Sequence, residues 1–351
     1  MLAPVRHIVP LTTIERERRL PVAGNVMARL DQKVSPTDVI AEANWAREHI
    51  LIDVARTFGI PVNDADTLIQ VAVGDRISDQ TKIAVGGGLF PRTLHSEKPG
   101  RVVAAGGGQV LIETGETTFE LKAGMPGTVA EIISDYGAVI RTYGALIQGV
   151  WGNGRIDTGL MLSLAEGPDE VLVPSRLDVS LRGSIILAGP VRDAETLLAA
   201  AELPARGLIL SSISPTIMPA ARKMQIPIVV TEGFGQIPMN QVAYKLLSTN
   251  EKREVTLNAE PYNRYTGARP EVIIPLPVSQ EPELPVDIME LEIGQTVRIC
   301  RHPNLGEIGI LSEIRPGLTT LPSGLRAPVA EIKLENGEEI LIPVANLEIV
   351  G

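Results

Sequence analysis

Thirty-three glycines and 27 prolines in a chain of 351 residues cut the sequence into short segments. Glycine supplies turn positions with positive φ, and proline removes a backbone donor, so both end regular structure rather than extend it. Long helices are disfavoured, and short strands joined by turns are expected. Aromatic residues make up only 3% against 44% hydrophobic, so the cores must be built from Val, Ile, Leu and Ala. A chain of this length divides into two to four domains. The expected class is multidomain and mainly β, with small β-barrels or sandwich hybrids flanking one parallel α/β sheet.

Texture places the boundaries. Residues 20–43 alternate apolar and polar, and a related phrase returns at 71–85, "VAVGDRISDQTKIAV". The two form a weak internal repeat of strand, turn and strand. Between them Trp45, Ile50, Val54 and Phe58 fall near one helical face, so a helix is expected over 44–58, closed by Gly59 and Pro61. The first module is thus 1–125. A small barrel or hairpin module is expected over 126–175, with turns near Asp135-Tyr136-Gly137 and Tyr143-Gly144. From 176 to 270, wholly apolar segments such as "GSIILAG", "GLILSSI" and "IPIVVTEG" alternate with helical ones, the pattern of parallel strands buried on both faces. Asp193 is placed to cap the first of these helices, and Pro238 to open the last. Residues 271–287 are proline-rich and read as a semi-rigid linker. The last module, 288–351, returns to β, with Asn336-Gly337 as a hairpin turn.

Composition excludes several classes of function. A net charge of −10 disfavours nonspecific attachment to nucleic acid or to an anionic membrane. Cys300 is the only cysteine, so no intrachain disulfide and no cysteine-rich zinc site can form. The histidines, His7, His49, His95 and His302, are scattered, and neither a metal nor any other cofactor is expected. No run of ~18 apolar residues marks a membrane span, and the start becomes charged too soon for a signal peptide. A cytoplasmic location is expected.

The stretch "GALIQGVWGNGRIDTG" (144–159) looks most like an active-site loop. A phosphate-binding loop would end in Lys and Ser/Thr, because the lysine reaches the phosphates and the hydroxyl holds magnesium. Here Gly154 is followed by Arg155 and Ile156. A dinucleotide loop would open a helix, which "RIDTGLMLSLAEG" does not. The simplest reading is a tight hairpin turn at Gly152-Asn153-Gly154, with at least one positive φ and Trp151 covering the core. The alternative is a contact loop of Trp151, Gly152, Asn153, Gly154 and Arg155, since glycine lets a partner's backbone approach closely. In an open parallel sheet, ligands sit beyond the carboxyl ends of the strands. Those ends are "SSISPT" and "TEGFGQIPMN", so Ser211, Ser212, Ser214, Thr216, Thr231, Glu232, Phe234 and Gly235 form the candidate ligand site. The plainer reading has Glu232 capping the next helix and Phe234 plugging the sheet end. Glu232 has no obvious carboxyl partner in the sequence, and no Gly-x-Ser-x-Gly, His-Glu-x-x-His or Cys/His arrangement exists, so no catalytic residue is assigned.

Three resemblances follow from these residues. The "V..GD.I"-type phrases resemble half-motifs of the biotinyl/lipoyl-like barrel-sandwich hybrid family over residues 20–125. That family's carrier members present a modified lysine, but no Met-Lys-Met or Asp-Lys-Ala triplet occurs here, and Lys33 and Lys82 are ordinary turn-region lysines. The likeness therefore implies the fold and not the swinging arm. Val297, Arg298, Ile299, Gly306, Gly309, Ile310 and Leu311 resemble a KOW-type SH3-like barrel, which implies contact with RNA or with transcription and ribosomal proteins. Residues 287–351, however, hold ten acidic side chains against five basic ones and no aromatic residue, and Arg298, Arg301 and His302 are the only basic cluster. "ARGLILSSISPTIMPAARKMQIPIVVTEGFG" resembles a swivelling domain of the kind that carries phosphohistidine. No histidine lies between 96 and 301, which rules that chemistry out of this segment. The whole chain resembles a bacterial multidomain protein with small β-barrels at both ends and an α/β domain between.

The leading expectation is a non-enzymatic scaffold or adaptor that presents these surfaces to protein partners. A ligand-binding or catalytic protein using 211–216 and 231–240 is the alternative. An RNA- or transcription-associated protein acting through the KOW-like segment ranks last, since nucleic acid is an unfavoured partner. The oligomeric state is left open.

Overall fold

The computed structural model describes residues 1–87, 91–263, 267–334 and 336–351, without the side chains of 45–47, 116 and 117. The protein is mainly β and contains several sheets. Among the described residues, no α-helix exceeds nine residues, as the glycine and proline content requires.

The largest sheet has eleven strands. Four of them, Ile156–Ser163, Ser184–Ala188, Gly207–Ile213 and Ile228–Phe234, run parallel in adjacent positions. Their side chains alternate between two cores. Ile185, Leu187, Ile209 and Val229 face one core, which the helix Gln241–Thr249 covers with Ala243 and Leu247. Ile186, Ala188, Leu208, Leu210, Ile228 and Val230 face the other, covered by the helices Ala194–Glu202 and Met218–Lys223. Burial on both faces is why these strands are wholly apolar in sequence. Asp193 caps its helix, accepting the Thr196 N–H at 2.8 Å. Pro238 does not open the last helix; Asn240 is its cap and accepts from the Val242 and Ala243 N–H groups.

The same sheet continues antiparallel through Glu254–Asn258, Glu271–Pro275, Gly137–Gln148 and Gly127–Ile133, and Ile8–Arg19 pairs along Gly137–Gln148. This corrects three sequence-based boundaries. The 126–175 stretch is no separate module, because its strands belong to this sheet. Residues 271–275 of the expected linker form a buried strand, with Val272, Ile273 and Ile274 fully covered. The rest of that linker is tied down too: the Thr13 N–H reaches the Glu283 carbonyl at 3.3 Å and the His7 ring meets the Asp287 carboxylate at 3.0 Å. Tyr143-Gly144 lies inside a strand, where Gly144 is needed because a Cβ would come within 2.1 Å of the Ile274 carbonyl oxygen.

The expected helix over 44–58 is a strand for most of its length. Val39–Asp53 pairs antiparallel with Gln109–Lys122 in a long ribbon, and only Val54–Phe58 is helical. Ile50 and Val54 are spaced for a helix, but Ile50 faces Ile112 across the ribbon, and a paired backbone outweighs local spacing. The Asp53 carboxylate starts the short helix by accepting the Arg56 N–H at 2.8 Å, and Gly59 at φ +69° ends it as expected.

The ribbon joins two cores. One gathers Leu20, Val34, Ile40, Leu121, Met125 and Ile140; the other gathers Val54, Ile77, Ile83, Val102, Val110 and Ile112. The weak sequence repeat is realised here as two copies of one turn pattern. The Arg29 N–H bonds to Gln32 and the Ser35 N–H to Asp38; in the second copy Ala72 bonds to Asp75 and Ser78 to Thr81. The offset between copies is 43 residues at both turns.

The C-terminal sheet has seven strands, and one of them comes from the other end of the chain. Leu2–Arg6 lies between Ile288–Glu290 and Leu347–Val350, parallel to the latter. The first module therefore does not begin at residue 1. The Asn336-Gly337 turn stands, with Gly337 at φ +84° between the paired strands Val329–Leu334 and Glu339–Pro343.

Candidate functional site

Arg6 closes the N-terminal strand in the run "APVRHIV", a single charge in an apolar stretch. Its side chain is fully buried, and such a charge has to be paired and hydrogen-bonded. It makes a two-pronged contact with Glu232, Nη1 to Oε2 at 2.9 Å and Nη2 to Oε1 at 3.1 Å, and its Nε donates to the Gln148 carbonyl at 2.9 Å. Arg298, another lone charge in "TVRIC", donates from Nη1 to Glu348 at 3.0 Å and from Nη2 to the Glu232 carbonyl. Its Nε lies 3.5 Å from Glu232 Oε2 without a hydrogen bond. Arg269 reaches the other Glu348 oxygen at 3.3 Å and stacks over the Tyr262 ring at 5.0 Å.

Three arginines thus hold two carboxylates. The cluster joins the eleven-stranded sheet, through Glu232, to the C-terminal sheet, through Arg6, Arg298 and Glu348. Burial would push the Glu232 carboxyl up, but the charge and hydrogen bonds of Arg6, the charge of Arg298 and the Asn240 N–H outweigh it and hold Glu232 below the ordinary carboxylate range. Burial also works against Glu348, which Arg6, Arg298 and Arg269 together hold low.

A cavity of about 710 Å³ opens above this cluster, between the carboxyl end of Ile228–Phe234 and the C-terminal sheet. Glu232, Glu348, Arg269 and Arg298 line it on one side. Leu2, Pro4, Phe234, Leu305, Pro343 and Val344 supply apolar wall, and Tyr262, Arg301 and His302 are among its polar members. Arg301 is exposed and donates to the carbonyl of its neighbour Cys300 at 3.2 Å. Cys300 also lines the cavity; burial, then the Glu348 charge, pushes its thiol up to about 11. Among the described residues, no group of three or more His, Cys, Asp or Glu could hold a metal ion.

The residues singled out in the sequence fall in three places. Glu232 and Phe234 line the cavity. Glu232 does accept the Asn240 N–H, at 3.2 Å, but Phe234 is 41% exposed and does not plug the sheet end. Ser211, Ser212 and Thr231 are buried in the sheet; Thr231 donates to the Leu210 carbonyl, Ser212 bonds to the Gly235 carbonyl and the Ile237 N–H, and the Ser211 hydroxyl has no partner among the described residues. Ser214 and Thr216 bond each other at 2.9 Å, and none of these serines and threonines, nor Gly235, lines the cavity.

The glycine-rich stretch is no hairpin. Trp151–Gly152 pairs with Ile228–Phe234, while Ile156–Ser163 pairs elsewhere. Gly154 has the expected positive φ of +80°. Gly152 is required for space, since a Cβ would lie 2.3 Å from the Ala259 carbonyl oxygen. Asn153 clasps the segment that leads into Ile228–Phe234, donating to the Ile226 carbonyl at 2.8 Å and accepting the Ile228 N–H at 3.0 Å. Trp151 packs on the second core of the large sheet.

Sequence reasoning missed Arg6, Arg269 and Glu348, and noted Arg298 only within the KOW-like stretch and its basic cluster. The available signal was a lone charge inside an apolar strand, as in "APVRHIV", "TVRIC" and "NLEIV". No family model matches the chain, and no curated protein matches it. No helix among the described residues is long and apolar enough to cross a membrane.

Proposed function

We propose that this protein binds a small molecule, without catalysis, in the cavity beside Glu232. The observation that carries the reading is the cavity itself. Its volume falls in the range of ligand sites, it is mostly apolar with a few converging polar groups, and it lies at the carboxyl end of a parallel strand. Both cavity carboxylates are engaged by arginines and held ionised, which suits them to holding a frame rather than to moving protons.

In this reading the protein is multidomain. An α/β unit within 176–270 supplies one wall and the SH3-like C-terminal sheet the other, while the nested β-modules, barrel-sandwich hybrids in kind, stand apart from the site. A thermal-shift screen of acidic, neutral and basic compounds tests it. A ligand at 100 times its dissociation constant stabilises by about 2.7 kcal/mol. Hits are expected on the wild type and lost on Ala345→Trp, which fills the cavity from an exposed position. A screen without such hits contradicts the reading.

A scaffold or adaptor role is the second reading, favoured by the module that residues 44–118 form around the core of Val54, Ile77, Ile83, Val102, Val110 and Ile112. Leu51, Val62 and Val73 on or beside it are 57%, 47% and 63% exposed, which suits a protein partner. The nucleic-acid role is weakened further by the burial of Arg298, one of the few basic groups in the C-terminal segment.

A further inference from the structure

We infer that the ligand of this cavity is an organic carboxylate with an apolar body. The inference rests on the binding reading above and names the chemistry of the ligand. The protein as a whole is acidic, yet this region reverses the balance: Arg6, Arg269, Arg298 and Arg301 stand against Glu232 and Glu348. The two carboxylates are already satisfied. Glu232 is held by Arg6 and the Asn240 N–H, and Glu348 by Arg298 and Arg269.

Donor capacity is left on Arg298, whose unbonded Nε is turned to Glu232 at 3.5 Å, and on Arg269 and Arg301, whose forks are less engaged. Among the described residues, Glu348 is the only carboxylate on Arg269, through one nitrogen, and Arg301 meets none. A guanidinium presents a planar fork that matches a carboxylate through two parallel hydrogen bonds. Most of the remaining wall is apolar, from Leu2 and Pro4 to Phe234, Leu305, Pro343 and Val344, with Met1, Tyr262, Cys300 and His302 as its other polar members. It takes up hydrocarbon, and burying that hydrocarbon supplies the bulk of the affinity. A polyanion is disfavoured, because each added charge is brought towards Glu232 and Glu348. A cation is disfavoured by the surplus of arginine.

Three series of matched chain length test this: straight-chain and phenyl-substituted carboxylates, the corresponding alcohols, and the corresponding amines. Each is titrated calorimetrically into the full chain, into Arg301→Ala and into Ala345→Trp. Arg301 is exposed and, among the described residues, bonds only to its neighbour's carbonyl, so its replacement leaves the frame intact, which an unchanged melting midpoint without ligand verifies. The carboxylates are expected to bind at least tenfold more tightly than the alcohols, and the amines not at all. Arg301→Ala should weaken the acids about fivefold or more and leave the alcohols unchanged. Alcohols or amines that equal the acids, or acids indifferent to Arg301→Ala, overturn the inference and leave the cavity reading standing. Silence from all three series overturns the inference, and the wider compound screen then decides the reading beneath it.

Discussion

Glu232 is the residue on which the frame turns, because three elements meet at its carboxylate. Replacing it by Ala leaves Arg6 buried without its counter-charge and Arg298 with Glu348 alone, and removing one partner of a buried pair costs about 3–5 kcal/mol. Urea unfolding of Glu232→Ala should show a loss of that order; a loss below 1 kcal/mol would mean that the cluster carries no weight. The same group sets the acid limb of stability. A carboxyl held low in the folded state contributes stability that is complete above its unfolded value of about 4.3 and is lost as pH falls through its folded value. Stability should therefore decline as pH drops below about 4–5, and Glu232→Gln should flatten that decline, which melting curves across pH 2–7 will show. An acid limb identical in the two proteins would assign the decline to other carboxyls. Gly152 belongs to this scale as well. With Ala259 O against the site of its missing Cβ, Gly152→Ala should destabilise by about 1–3 kcal/mol through backbone displacement, whereas an unchanged melting midpoint would show that the backbone yields freely.

Among the elements, the N-terminal strand makes the boldest connection. Val5 and Arg6 pair with Ile349 and Val350, so both chain ends sit in one sheet. Leu347–Val350 also pairs with Thr296–Ile299, so removing residues 1–6 should expose to hydrogen exchange only those of its amides that face Leu2–Arg6, and a synthetic 1–7 peptide should restore their protection; if those amides stay protected without it, the pairing is refuted. The ribbon allows a complementary test. Ala43 faces Phe119 in register, and the proximal core is built wholly from residues outside 44–118. Replacing 44–118 with Asn-Gly, a favoured two-residue turn, should leave a cooperatively folding protein with its melting midpoint within a few degrees; collapse of the remainder would show that the inserted module supports it. These elements also show what was legible in the sequence. The strands of "SIILA" and "GLILSSI" could be read because burial on both faces leaves a local mark. The pairing of Ile50 with Ile112, or of Val5 with Ile349, leaves none, since each strand's partner lies far along the chain. For the same reason Glu232 could be picked out by its place at a strand end, while Arg6, Arg269 and Glu348, brought to it from other segments, could not.

For the whole molecule, the account comes down to whether the space between the two sheets is a binding site. Cys300 offers a direct reporter, because it is the only cysteine and it lines that space. Its thiol, pushed up to about 11, makes alkylation slow at neutral pH, so the rate can be followed by intact mass over hours. A compound that raises the melting midpoint should slow Cys300 alkylation in step with occupancy, and Ala345→Trp should abolish both effects. Stabilisation by the compound with the Cys300 rate unchanged would place the ligand elsewhere and contradict the account.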